Sequence, residues 1–202
     1  MTISESKKKP EIDWVHLPAD TQPKDLWDCL HDAELWNVLS DLLNRSVMMT
    51  FDVFYIREYH KLPDGTLFNF IFDGVTSVRV NTYAVWPGKF AVPKGASRDE
   101  EHRLIAEYQS KWREESLDWN DFEKFLQNKK SLLSVSDSEL ASNNHSVSIK
   151  IGGFLNDKYH KIFIQASKLT IEQSDGKLLN LDKFIMLGRE YWHAFSEGKL
   201  KN

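Results

Sequence analysis

The chain of 202 residues has one cysteine, Cys29, so an intrachain disulfide and a cysteine-rich zinc site are both excluded. With 41% hydrophobic and 28% charged residues the composition is ordinary for a globular protein and argues against a disordered chain. No apolar run approaches the ~20 residues that a membrane-spanning helix requires. The N-terminus lacks the apolar core of a secretory signal, so a cytoplasmic location with no membrane association is expected. Basic charge is also scarce: 26 Lys and Arg stand against 30 Asp and Glu, for a net charge of -4. The one dense basic run, Lys7-Lys8-Lys9, sits in a polar leader and reads as a solvated tail. A nucleic-acid partner is not expected, because such binders carry a basic face that displaces phosphate counterions.

Catalytic signatures are missing as well. There is no G-x-S-x-G elbow, no phosphate loop and no G-x-G-x-x-G. His16, His31, His60, His102, His145, His160 and His193 form no H-x-H, H-x-x-x-H or H-E-x-x-H pair, so no metal and no cofactor is expected. Cys29 lies in an apolar-periodic stretch and reads as a small buried hydrophobe. Its nearest base, His31, is two residues away and off its face of a helix. Asp52 and Asp73 sit in the paired phrases "TFDVF" and "IFDGV". They would perturb each other's pKa if their strands brought them together, but an outward-facing Asp52 and an Asp73 that begins a turn before Gly74 are the better account.

What is abundant is aromatic: seven Trp, six Tyr and twelve Phe. Each buries roughly 150–250 Å² when packed, so a handful anchors a core. The fold class expected is α+β, with antiparallel sheets, two similar β lobes among the options, a central helical segment and a C-terminal helix. Residues 1–22 read as a tail and extended lead-in, with Trp14 and Leu17 available to pin it to the body. Residues 23–96 read as a first β-rich lobe, 97–130 as a helical connector, and 131–202 as a second β lobe with the C-terminal helix. These segments could also form one compact domain.

Within the first lobe a short helix through Leu26, Trp27 and Leu30 follows Pro23. For residues 34–43 two readings stand: Leu35, Val38, Leu39 and Leu42 fit a longer helix, while Glu34–Ser40 also fits a strand turning at 41–44. "VMMTFDVFYI" is β-like throughout. Strands at 47–58, 66–72 and 75–85, joined by "LPDGT" and "FDGV", make an antiparallel meander. Ser97 and Glu100 match a capping box, Asp118 caps a further helix carrying Phe122, Phe125 and Leu126, and Asn180 caps the last. That last helix carries Gly188, Tyr191, Trp192 and Phe195 in its apolar stripe. Second-lobe strands are expected at 131–136, 146–151, 160–166 and 168–173. "HDAEL" (31–35) and "SDSEL" (136–140) echo each other ahead of the two β runs, as an old duplication or by chance.

The candidate polar cluster is His31, Asp32 and Glu34 from "LHDAEL", with Arg189, Trp192 and His193 from "REYWHAF". No catalytic role is assigned to it; exposed Tyr, Trp and Arg suit a protein-binding surface. The run Leu30-His31-Asp32, then "RSVMMTFDVFY", then Phe72, Gly74 and Val75 resembles a group of small bacterial proteins of unknown function, some linked to toxin-immunity loci. The resemblance spans roughly residues 27–85. It implies the strand reading of 34–40 and no catalytic residue. A non-catalytic module binding a protein partner, immunity-like or accessory, is the leading expectation. A small-molecule pocket or enzyme between the lobes, using His31 or His145 with strand acids, is the alternative, and a homodimer through edge strands and the C-terminal helix is a third.

Overall fold

The computed structural model describes residues 25–85, 87–88, 90–115, 117–127, 132–143 and 146–200. The lysine run, Trp14, Leu17 and His145 lie outside them. In chain order the elements are α1 (Asp25–Leu30), β1 (Glu34–Asp41), β2 (Ser46–Asp52), α2 (Phe54–Tyr59), β3 (Phe68–Asp73), β4 (Ser77–Ala84), α3 (Arg98–Gln109) and β5 (Arg113–Glu115). There follow α4 (Trp119–Gln127), β6 (Leu133–Asn143), β7 (Ser146–Leu155), β8 (Lys158–Ala166), β9 (Lys168–Gln173), β10 (Leu178–Leu179) and α5 (Leu181–Ser196). The fold is α+β, and the strands form one antiparallel sheet in the order β10-β9-β3-β2-β1-β6-β7-β8-β4-β5.

Local chemistry starts the helices where the sequence places them. The side chains of Ser97, Asp118 and Asn180 accept from the amides of Glu100 (3.2 Å), Asp121 (2.8 Å) and Lys183 (2.8 Å), satisfying donors that have no helical partner. Strands β3 and β9 bury every second residue, which gives Phe68, Phe70 and Phe72, with Leu169 and Ile171, to the core. At 41–44 the Asp41 carboxylate accepts from the Asn44 amide at 3.1 Å and closes the turn, so 34–41 is a strand and not a longer helix.

The two ends of the chain interleave. β1 and β6 meet antiparallel around the Glu34–Ser134 pair, the shared centre of the sheet. Each then makes a hairpin with its successor, and each carries a bulge at the same point, after Leu35 in β1 and after Val135 in β6. β3 and β8 pair outward from those hairpins. The following strands then change sides: β4 leaves β3 and pairs with β8, while β9 leaves β8 and pairs with β3. The preceding helices do likewise, α1 packing on β6 and α4 on β1. The result is an approximate twofold arrangement of two αββββ units that have exchanged their last strands.

Four expectations change. Strands 66–72 and 75–85 are not neighbours in a meander, because β4 crosses to the other half. "VMMTFDVFYI" is not a single strand. It breaks at Val53, and Phe54–Tyr59 is helical, since Tyr55 and Ile56 find burial against α5 that a straight strand could not give them. The letters of "HDAEL" and "SDSEL" do not occupy equivalent places: the register matches Leu35 with Val135, and Ser136–Leu140 lies inside β6. The boundary at residue 96 likewise does not divide the sheet, because β4 belongs to one half and β9 and β10 to the other.

Close packing at the centre of the sheet depends on Gly153. A Cβ there would lie 2.3 Å from Leu133 Cδ2 and 2.4 Å from the Ser134 carbonyl oxygen. Gly153→Ala is expected to lower stability by about 1–3 kcal/mol, the usual cost of overpacking, seen as a lower urea midpoint at unchanged slope. A loss below about 0.5 kcal/mol, the scatter of neutral surface changes, would contradict the tight joint.

Candidate functional site

Helix α1 is too short to be stable alone, and the fold compensates by satisfying its terminal carbonyls one by one. Trp27 O accepts from the His31 amide at 2.8 Å and Leu30 O from the Ala33 amide at 2.9 Å. Asp28 O accepts from the Trp192 indole, and Cys29 O from the Tyr55 hydroxyl at 2.7 Å. Asp25, 3% exposed at its side chain, holds Arg189 at 2.7 Å. Gly188 lets α5 come close: a Cβ there would stand 2.5 Å from Cys29 Sγ. That thiol donates to Phe184 O at 3.5 Å, and burial pushes its pKa well up, so it has no thiolate character.

This scaffold carries a belt of rings. The Trp27 ring lies 4.3 Å from His31 and 6.5 Å from Trp192; Trp192 lies 5.5 Å from Phe195, Phe195 6.4 Å from Tyr191, and Tyr191 6.0 Å from Tyr59. Three of them reach solvent, Trp27 at 36%, Tyr59 at 39% and Phe195 at 57%. Carboxylates stand beside them. The Tyr191 hydroxyl is pushed up by burial, then by the charges of Asp32 and Glu58, and Tyr55 is pushed up by burial, then by Cys29 and Asp32. Glu190 lies 3.7 Å from His60.

Of the six residues singled out in the sequence, His31, Asp32 and Trp192 meet here. His31 Nδ1 lies 3.1 Å from Asp32 Oδ2, close but not aligned as a hydrogen bond. Asp32 takes a left-handed backbone (φ 66°) and donates its amide to Val135 O, which ties α1 to the sheet centre. Arg189 serves the buried Asp25 instead. Glu34 lies on β1 and accepts from the Trp36 indole at 3.3 Å, and His193, exposed, pairs with Glu197 at 3.3 Å. Asp52 and Asp73 do not converge: Asp52 is bound to Arg57 at one end of β2, and Asp73 stands opposite Ser46 at the other. The sequence reading missed Trp27 and Tyr59 as surface groups and took Tyr191 and Phe195 for core. The usable signal was a surplus of rings on α5, more than two six-residue helices, α1 and α2, can cover.

A second feature is a cleft of about 260 Å³ lined by Thr82, Glu115, Leu117, Phe125, Leu155, Asn156, Lys158 and His160. His160 is 3% exposed, its Nδ1 is 3.0 Å from Thr82 Oγ1, and the Phe122 ring lies 5.5 Å away. Among the described residues no group of three His, Cys, Asp or Glu could hold a metal ion, and no helix is long and apolar enough to cross a membrane. A scan against protein-family models finds no match, and a search of curated proteins finds no relative.

Burial holds the His160 pKa below its ordinary value, so the folded state keeps this imidazole neutral while the unfolded chain protonates it near pH ~6.5. Unfolding therefore takes up a proton below that pH, and stability falls as pH drops from about 6.5 toward the folded-state value. Replacing His160→Phe is expected to flatten this part of the profile, read as urea midpoints between pH 7 and 5. An unchanged acid-side slope would contradict it.

Proposed function

We propose that this chain is a non-catalytic protein-binding module, immunity-like or accessory in kind, that uses the α1–α2–α5 face to hold a basic segment of a partner protein. The observation that carries this reading is the contiguous belt Trp27–Trp192–Phe195–Tyr191–Tyr59, with Asp32 and Glu58 close enough to raise the Tyr191 pKa. Trp and Tyr are the residues that most often anchor protein interfaces. Carboxylates beside ring faces suit Arg and Lys, which stack on aromatics while pairing with acids.

Rigidity supports the same reading. The carbonyl capping of α1 by Trp192 and Tyr55 fixes the belt before any partner arrives, so little ordering cost remains to be met on binding. Strand addition is a poorer route to association, because the outermost strands β10 and β5 have two and three residues. The overall acidic balance also steers basic partners toward the chain.

The test is affinity capture from the source cell's own extract, comparing the native chain with Trp27→Ala and with a paired Asp32→Asn, Glu58→Lys variant. Asn is chosen because it tolerates the left-handed backbone at position 32. The captured protein is expected to be basic, to bind more weakly as salt rises, and to lose about tenfold or more in affinity with either variant, typical of an interface anchor. Capture of no protein alongside a metabolite hit, an acidic partner, or equal binding by both variants would overturn the proposal.

A further inference from the structure

The two halves of the sheet are alike in pairing but differ in how one end is closed. In the first half Phe51 stands opposite Phe68, and Phe68 opposite Gln173. The matching positions in the second half are Gly153, His160 and Thr82. Leu133 fills the space of the missing side chain at Gly153. Each position meets a ring, though from helices that do not correspond: Phe68 meets Phe184 of α5 at 5.2 Å, and His160 meets Phe122 of α4 at 5.5 Å. The connection beyond these positions differs most. Between β2 and β3 the first half inserts α2, which buries Tyr55 and Ile56 and packs on α5. Between β7 and β8 there is only Asn156-Asp157, both left-handed, the conformation of a two-residue hairpin turn. Nothing corresponding to α2 stands between these strands, and the cleft beside His160 opens next to that short turn.

We propose that this cleft binds a small uncharged aromatic molecule carrying one N–H or O–H donor. A cavity of ~150 Å³ holds benzene, so about 260 Å³ admits a substituted single ring or a fused pair. The ring lies among Leu117, Leu155 and Phe125, the last 49% exposed with no described ring against it. The acceptor is the Glu115 carboxylate. Hydrogen bonds from Lys158 (2.5 Å) and Arg113 (3.2 Å) hold its pKa below the ordinary range, so it stays ionised. Those two cations outnumber its single charge by one, so a cationic ligand gains nothing at this end of the cleft, while the carboxylate oxygens keep lone pairs for one more donor, which an anionic ligand lacks. His160, neutral by burial and bonded to Thr82, puts no charge at the deep end. A largely apolar slot with a few placed polar groups is the usual design of a small-molecule site. This site is separate from the ring belt and does not depend on the protein-binding reading.

Indole and phenol are titrated into the full-length protein while the methyl resonances of Leu117 and Leu155 are followed, with toluene as the comparator lacking a donor. Saturable shifts at both leucines are expected with indole and phenol. Toluene is expected to bind about tenfold or more weakly, the cost of losing one hydrogen bond to a charged group, and phenol to bind Glu115→Gln several-fold more weakly, because the amide leaves only a neutral acceptor. Leu117→Trp, which fills the cleft, abolishes the shifts. Shifts that do not saturate, that appear at Trp27 and Tyr191 instead, or that persist equally in both variants would overturn the proposal. Equal binding of toluene and phenol would do the same. If Leu117→Trp does not fold, the half-buried, near-isosteric Glu115→Gln change decides alone.

Discussion

Hydrogen bonding between β3 and β9, and between β8 and β4, is the constraint from which the rest of the molecule follows. It places Asp73 opposite Lys168 and Ser77 opposite Gln165, so each half of the sheet is completed by a strand from the other end of the chain. The exchange happens where the two crossings touch. Gly74 (φ +64°) turns against Ser167, whose Oγ sits 2.0 Å from where a Cβ at position 74 would be, and whose amide donates to Asp73 O at 3.1 Å. Only a residue without a side chain fits that approach with that backbone. Neither half can close its core without the other, because Leu169 and Ile171 of β9 belong to the core beside Phe68, Phe70 and Phe72.

The surfaces follow from that exchange. With α1 seated on β6 and α5 on α1, the helices of the first half pack tightly enough that Gly188 is needed at their contact, and the surplus rings of α5 spill outward beside Asp32 and Glu58. In the second half the same architecture has a two-residue turn in place of α2, leaving His160 buried at the back of an open cleft. The same fold unit thus offers a closed, ring-bearing face at one end and a concave one at the other. The first is the face proposed to hold a basic protein segment, and the second the cleft proposed for a small molecule.

Much of the local structure was legible in the chain. Ser97, Asp118 and Asn180 each cap a helix as their spacing implies, because an N-cap needs only a side-chain oxygen and a nearby amide. The strands were legible from alternation, and 34–41 follows the strand reading. Strand partners were not, because alternation tells which face a residue takes and says nothing of its neighbour. The helix at Phe54–Tyr59 was hidden by β-favouring residues, whose placement is decided by Tyr55 reaching Cys29 O across the core. The twofold arrangement was hidden for a related reason. It is carried by bulge positions and pairing register, while the matched letters of "HDAEL" and "SDSEL" fall at unmatched places. In the candidate cluster, adjacency in sequence brought His31 and Asp32 together, and helical spacing brought Trp192. Glu34 and His193 were separated from them by the direction each element gives its side chains, which no spacing rule on a single element resolves.

The central claim is that exchanged strands make the two halves one cooperative unit. Native-state hydrogen exchange in rising urea tests it most directly, read at the amides of Met49 in β2, Ile171 in β9, Ile151 in β7 and Val80 in β4. The account predicts that all four converge on one opening free energy with one denaturant dependence, since opening either half strips a strand from the other. Opening of the β6–β7–β8–β4 amides at a lower free energy, while β2, β3 and β9 stay protected, would contradict it.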